Sequence, residues 1–132
     1  MIKFTSDLET KVPTIDNQHK ELFDRINNLV AMGHKAVSKD ETDNTFKLLG
    51  DYAVKHFKDE EELQKKSGYP KYAWHAEQHR MFIDSINNLK AEYAQNGPSV
   101  TFTLQLNKSI IDWIVKHIRH VDVELGKFLN NN

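Results

Sequence analysis

Three observations predict an all-α fold, an antiparallel up-down-up-down four-helix bundle with an extended N-terminal arm. Apolar residues recur at alternating steps of three and four along four stretches of the 132-residue chain, the spacing of helices with one buried face. Gly33, Gly68 and the Gly97-Pro98 pair punctuate those stretches, and short connections favour antiparallel neighbours. Strand signals are confined to Val100-Thr-Phe-Thr103, expected to be a loop entering the last helix.

One domain spanning residues 1–132 is expected, with helices at about 16–36, 41–66, 70–95 and 104–129. Met1 to Pro13 is expected to be the arm, with Phe4 tacked onto the bundle. The first helix aligns His19, Leu22, Phe23, Ile26, Leu29 and Val30, and Thr14 and Asp16 suit its N-cap. Gly33 offers an inexpensive left-handed end, and His34 beside it suits the helix dipole as a solvated cation. The second aligns Phe46, Leu49, Ala53, His56, Glu60 and Leu63 and stops at Gly68. Gly50 in its middle costs about 1 kcal/mol relative to Ala and is expected to permit close helix approach. Pro70 fits the first turn of the third helix, which carries His75, His79, Phe82, Ile86, Leu89 and Tyr93. The fourth holds Leu106, Ile110, Trp113, His117, Val121, Leu125 and Phe128.

Composition removes several classes of function. Eighteen basic and 19 acidic residues leave a net charge of -1, which gives no reason to expect nucleic acid or a membrane surface as partner. With no cysteine, a metal must be held by imidazole and carboxylate, a set that suits iron, zinc or manganese. Met1 to Thr10 lacks the apolar run of a signal peptide, and no stretch approaches the roughly 20 apolar residues of a membrane span. A cytoplasmic protein is expected, whether whole or one domain of a longer chain.

Polar residues stand where the pattern expects a core. His19, His56, Glu60, His75, His79 and His117 all occupy seam positions. Burying so many imidazoles and a carboxylate without partners costs several kcal/mol or more; metal coordination removes that cost by using the lone pairs and neutralising the charge. His56 with Glu60, and His75 with His79, are four apart, so each pair shares a helix face. The acidic run Asp59 to Glu62 is otherwise a solvated face.

The fourth helix breaks register. A regular continuation from His117 would bury His120 and Glu124, yet the apolar residues fall one place later, at Val121, Leu125 and Phe128. One extra residue per turn is what a π-type turn inserts, and it would bring His117 and Asp122 onto one face. His120 with Glu124 then becomes a decoy pair.

His19, His56-x-x-x-Glu60, His75-x-x-x-His79 and His117-x-x-x-x-Asp122 together resemble the ligand pattern of the hemerythrin family, in its bacterial single-domain form. Ile15-Asp-Asn-Gln-His-Lys-Glu-Leu-Phe23, His56-Phe-Lys-Asp-Glu-Glu61, Tyr69-Pro70 and Trp113-Ile-Val-Lys-His-Ile118 carry the same likeness. The resemblance implies two iron ions, cycling between Fe2+ and Fe3+, bridged by Glu60, Asp122 and an oxo or hydroxo group. One iron would take His75, His79 and His117. The other would take His19 and His56 and keep a position for dioxygen. It further implies an oxygen pocket of Leu22, Phe57, Trp113 and Ile118, kept dry so that binding stays reversible. Arg119 departs from the apolar residue of some relatives and is expected to wet that pocket. Phe4 replaces a frequent Trp, and Glu62-Leu-Gln64 lacks a common Met.

The implied function is reversible dioxygen binding for storage, delivery or sensing, by a monomer that is not an enzyme. The competing class is a di-iron enzyme on the same scaffold: a peroxidase, an oxidase or a nitric-oxide-handling protein. Oxygen-activating sites favour carboxylate-rich ligand sets, and five imidazoles against two carboxylates weigh towards binding. A sensor module acting through a partner contact is a third class, with the end of the chain from Gly126 to Asn132 as the available surface.

Overall fold

The computed structural model describes residues 2–32, 39–97 and 99–131; Gly33, His34 and the side chains of Leu29 and Val30 lie outside what it describes. Four helical rods pack as an antiparallel bundle, and the described residues contain no strand. The first rod is α1, Pro13–Met32. The second is α2, Lys39–Leu48, which continues through a π turn, Leu49–Ala53, into α3, Val54–Ser67. The third is α4, Tyr72–Asn96. The fourth is α5, Val100–His117, which continues through a second π turn, Ile118–Asp122, into α6, Val123–Asn130. No helix among the described residues is long and apolar enough to cross a membrane.

The seam has three layers. A large apolar cluster includes Leu22, Phe23, Phe46, Phe57, Phe82, Leu106, Ile110 and Ile118. A smaller one holds Ile15, Tyr69 and Leu125. Along each rod the polar seam residues lie between these two. His19 stands between Ile15 and Leu22, Glu60 between Phe57 and Leu63, His75 and His79 between Tyr69 and Phe82, and Asp122 between Ile118 and Leu125. The polar layer is therefore closed by hydrocarbon above and below.

Local chemistry sets the ends of the rods. Gly68 adopts the left-handed conformation (φ 71°), from which its N–H reaches the Lys65 carbonyl and the Tyr69 N–H returns to Gln64. This is the double-bonded helix end that glycine permits without strain. The Ser99 hydroxyl accepts the Phe102 N–H at 3.0 Å and starts α5 at Val100. Val100-Thr-Phe-Thr103 is thus helical and not the expected loop. The cap and the packing of Phe102 on Tyr93, with ring centroids 5.5 Å apart, outweigh the weak strand preference of those residues.

Other starts shift as well. α4 begins at Tyr72, so Pro70 lies in the turn ahead of it. α1 begins at Pro13, so Thr14 and Asp16 are inside the helix and are not its caps. The Asp16 carboxylate instead accepts the Thr10 N–H at 2.9 Å, the Thr10 hydroxyl at 2.7 Å and the Lys11 N–H at 3.1 Å. It thereby anchors the arm. That arm is more structured than an extended lead-in: Ser6–Leu8 forms a 3-10 turn packed on Ile118–Asp122, and Leu8 and Thr10 are buried. Phe4 does dock, edge-on against Phe23 at 5.8 Å.

The two helical glycines differ in kind. Gly50 lies in the first π turn, and a Cβ there would meet nothing within 4 Å, so it is not a close-approach site. A Cβ on Gly126 would collide with the carbonyl and Cβ of Thr10, because the arm crosses α6 at that point. Gly50→Ala should raise stability by about 0.5–1 kcal/mol, whereas Gly126→Ala should lower it by about 1–3 kcal/mol. Urea denaturation of the two variants checks both signs.

Candidate metal centre

Each rod delivers its share of the polar layer. α1 supplies His19; α3 supplies His56 and Glu60 one turn apart; α4 supplies His75 and His79 in the same way. On the fourth rod His117 closes α5 and Asp122 closes the π turn. The turn foreseen from the slipped hydrophobic pattern is present, and its extra residue puts Asp122 beside His117. His120 is exposed, and Glu124 forms an ion pair with Lys71. The decoy pair is outside the seam.

All seven side chains are buried, none more than 5% exposed. Their ligand atoms fall into two sets that share both carboxylates: Glu60, His75, His79, His117 and Asp122 in one, and His19, His56, Glu60 and Asp122 in the other. Each carboxylate divides its oxygens between the sets. Glu60 Oε1 lies 2.7 Å from His75 Nε2 and 3.4 Å from His79 Nε2, while Oε2 lies 3.3 Å from His56 Nε2. Asp122 Oδ1 lies 2.9 Å from His75 Nε2 and 3.0 Å from His117 Nε2, while Oδ2 lies 3.1 Å from His19 Nε2.

A test of fit comes from what these atoms do not do. Both Glu60 oxygens, Asp122 Oδ1 and His75 Nε2 are buried and close to one another, yet they have no hydrogen-bond partner of acceptable geometry. They converge on common points and do not aim at each other. His19 and His56 bring their Nε2 atoms to 3.0 Å, and His79 and His117 to 3.1 Å. Adjacent ligands of one ion with bonds of about 2.1 Å stand about 3 Å apart at a right angle. The donor set and its spacing fit two cations that share two carboxylates.

Electrostatics agree. Burial opposes ionisation of Glu60 and Asp122, but surrounding imidazoles hold both carboxyls well below the usual range. Burial likewise disfavours charge on His75, yet Asp122 and Glu60 push its pKa up to about 9. His56 is raised despite burial, chiefly by Glu60, and His117 is lowered by burial. Without metal, protons do part of a cation's work in this layer.

Beside His19, His56, His117 and Asp122 lies a small cavity of about 10 Å³, walled otherwise by Leu22, Phe57, Trp113, Ile114 and Ile118. It is large enough for about one water-sized guest. The four pocket residues expected from the sequence are all on its wall. Two also brace imidazoles: Phe57 stacks on His79 at 4.0 Å and Trp113 on His117 at 4.4 Å. Arg119 does not line the cavity. It turns outward and donates to Asp7 of the arm at 2.9 Å, so the expected wetting of the pocket by Arg119 does not occur.

Three groups near the site were missed by sequence reasoning. Ile114 closes the cavity wall. Gln18 Oε1 accepts the His56 Nδ1–H at 2.6 Å, and Glu61 Oε2 accepts the His79 Nδ1–H at 3.0 Å. Glu61 thus has a specific contact and is not merely part of a solvated acidic face. The model of the Hemerythrin HHE cation binding domain matches residues 10–129. The chain belongs to the hemerythrin family.

Relatives and structures agree with that membership. The bacteriohemerythrin of Methylococcus capsulatus is 30% identical over 95% of this chain and 93% of its own length. That of Campylobacter jejuni is 31% identical over 86% and 84%. A crystal structure of wild-type hemerythrin superposes with a TM-score of 0.83 at 30% identity, covering 98% of this chain and 97% of that one. The buried imidazoles and carboxylates between the two apolar clusters form a cluster able to hold a metal ion.

The raised His75 pKa has a testable sign. A group that rises from 6.5 to about 9 on folding stabilises the metal-free fold fully below the unfolded value, and that contribution is lost as pH climbs through the folded one. The melting temperature of metal-free protein should fall between pH 7 and pH 10. His75→Gln should flatten the dependence, as should metal loading, which makes His75 a neutral ligand at both pH values.

Proposed function

We propose that this protein binds dioxygen reversibly at a pair of iron ions held by His19, His56, Glu60, His75, His79, His117 and Asp122. The observation that carries the reading is the division of each carboxylate between two imidazole sets. A single cation would not need Glu60 and Asp122 to present one oxygen to each side. Imidazole and carboxylate donors suit iron, and membership of the family supports that metal over others.

When bound, the irons supply electrons and a binding position for dioxygen; the chain does the rest. His75, His79 and His117 with the two carboxylates give one set five donors, while His19 and His56 with the same carboxylates give the other four. Three of the four donors of that second set, His19, His56 and Asp122, line the cavity, against His117 and the shared Asp122 of the first, so the four-donor side is the more accessible one. Leu22, Phe57, Trp113, Ile114 and Ile118 restrict water at the cavity and, among the described residues, place no acidic proton on its wall other than those of the ligand layer itself. Exclusion of water and protons is what separates reversible binding from irreversible oxidation. The cavity's size also favours a diatomic guest over the organic reductant of a peroxidase or oxidase.

Metal analysis should find two irons per chain. Adding air to the anaerobically reduced protein should produce an intense visible absorption that fades when oxygen is withdrawn. Irreversible oxidation with no such band, or steady turnover of peroxide with a reductant, would replace binding with catalysis. Ile118→Asn, which brings a polar group to the cavity wall, should shorten the lifetime of the oxygenated protein by about tenfold or more with two irons still bound. Stopped-flow spectra of the decay measure it.

A further inference from the structure

The imidazole nitrogens that face away from the centre have unequal partners. His79 Nδ1–H donates to the Glu61 carboxylate at 3.0 Å, and His79 belongs to the five-donor set. His56 Nδ1–H donates to the Gln18 carboxamide at 2.6 Å, and His56 belongs to the four-donor set beside the cavity. A carboxylate only accepts, so the proton must be on Nδ1 of His79, which leaves Nε2 free to ligate. The Gln18 amide is oriented by its other end, whose N–H points at Asp59 Oδ2 at 3.5 Å. Turning the amide over would set its carbonyl against that carboxylate.

We infer that Glu61 and Gln18 are positioning residues that make the two halves of the centre electronically unequal, an anionic acceptor standing behind His79 and a neutral one behind His56. This rests on the two-iron reading above. A carboxylate that accepts the distal N–H raises the basicity of the ligating nitrogen and fixes the ring. It thereby favours the more highly charged metal on the His79 side. The carboxamide fixes the His56 ring with equal precision but adds no charge, so the half beside the cavity keeps the weaker donor and returns to its reduced state more readily. Neither residue touches the cavity or supplies a ligand. Their effect is therefore separable from pocket shape and from ligand count.

The experiment is a spectroelectrochemical titration, under anaerobic conditions, of the iron-loaded wild type, Glu61→Gln, Gln18→Glu and Glu61→Ala, with iron content and helical circular dichroism measured on each. Glu61→Gln keeps the hydrogen bond and removes the charge, so at a fixed potential it should shift the ratio of reduced to oxidised protein about tenfold towards reduced, equal to 59 mV for a one-electron couple. Gln18→Glu should shift it in the opposite direction by a similar factor, which gives an independent test should the first variant fail to fold. Glu61→Ala also loses the orienting bond, and its iron affinity should fall by about 10–100-fold, an affinity that Glu61→Gln restores without restoring the potential. Two irons in every folded variant with unmoved potentials would overturn this inference alone. A wild type that takes up no iron would overturn it together with the centre it modifies.

Discussion

Two carboxylates, Glu60 and Asp122, are shared between two groups of imidazoles in a layer that water does not reach, and the rest of the structure serves that sharing. Neither acid could stay ionised in such a place alone, since an isolated charge in hydrocarbon costs far more than a fold can supply. The imidazoles hold them ionised, and a bound metal ion would complete the compensation. The apolar clusters on either side are thus as much a part of the centre as its donors, because their dryness makes the charges depend on one another. Phe57 and Trp113 illustrate this double duty: each belongs to or packs against the large cluster and stacks on an imidazole.

Much of this was legible in the sequence because burial leaves a periodic trace. Histidines in seam register mark the layer on all four rods, and the one-residue slip after His117 marks the π turn that brings Asp122 in. The other π turn, Leu49–Ala53, left no trace. Phe46, Leu49, Ala53 and His56 keep steps of three and four across it, so nothing in the pattern betrays the extra residue, and Gly50 is only an ambiguous hint. Asp16 misled for a related reason. A carboxylate near a helix start suits a cap in any sequence, but here the incoming arm presents Thr10 and Lys11 to it. Only the path of the arm decides between the two uses.

The partners of the outward imidazole nitrogens were illegible in principle. Gln18 is 38 residues from His56, and Glu61 is 18 from His79. Both contacts depend on how neighbouring rods are rotated, to within an ångström, and no spacing along one helix encodes that. Gln18 also looks like an ordinary solvent-facing neighbour of His19, and Glu61 like an ordinary member of an acidic run. What sets them apart is the direction of a proton on a ring contributed by another helix.

The turn at Ile118–Asp122 has a consequence for how this chain can change over time. One residue of a regular helix corresponds to about 100° of rotation, so the surplus residue in that turn fixes the azimuth of everything after it. Loss of a single codon within the turn would remove the surplus residue and leave a regular helix, with Asp122 four residues after His117 and therefore still on its face, and with Leu125 still in register behind it. A one-residue deletion in a regular stretch of the same rod has no surplus to absorb it and turns every later side chain by about 100°. These five residues are thus the place where the rod can shorten by one and keep both its core and its buried polar layer in register.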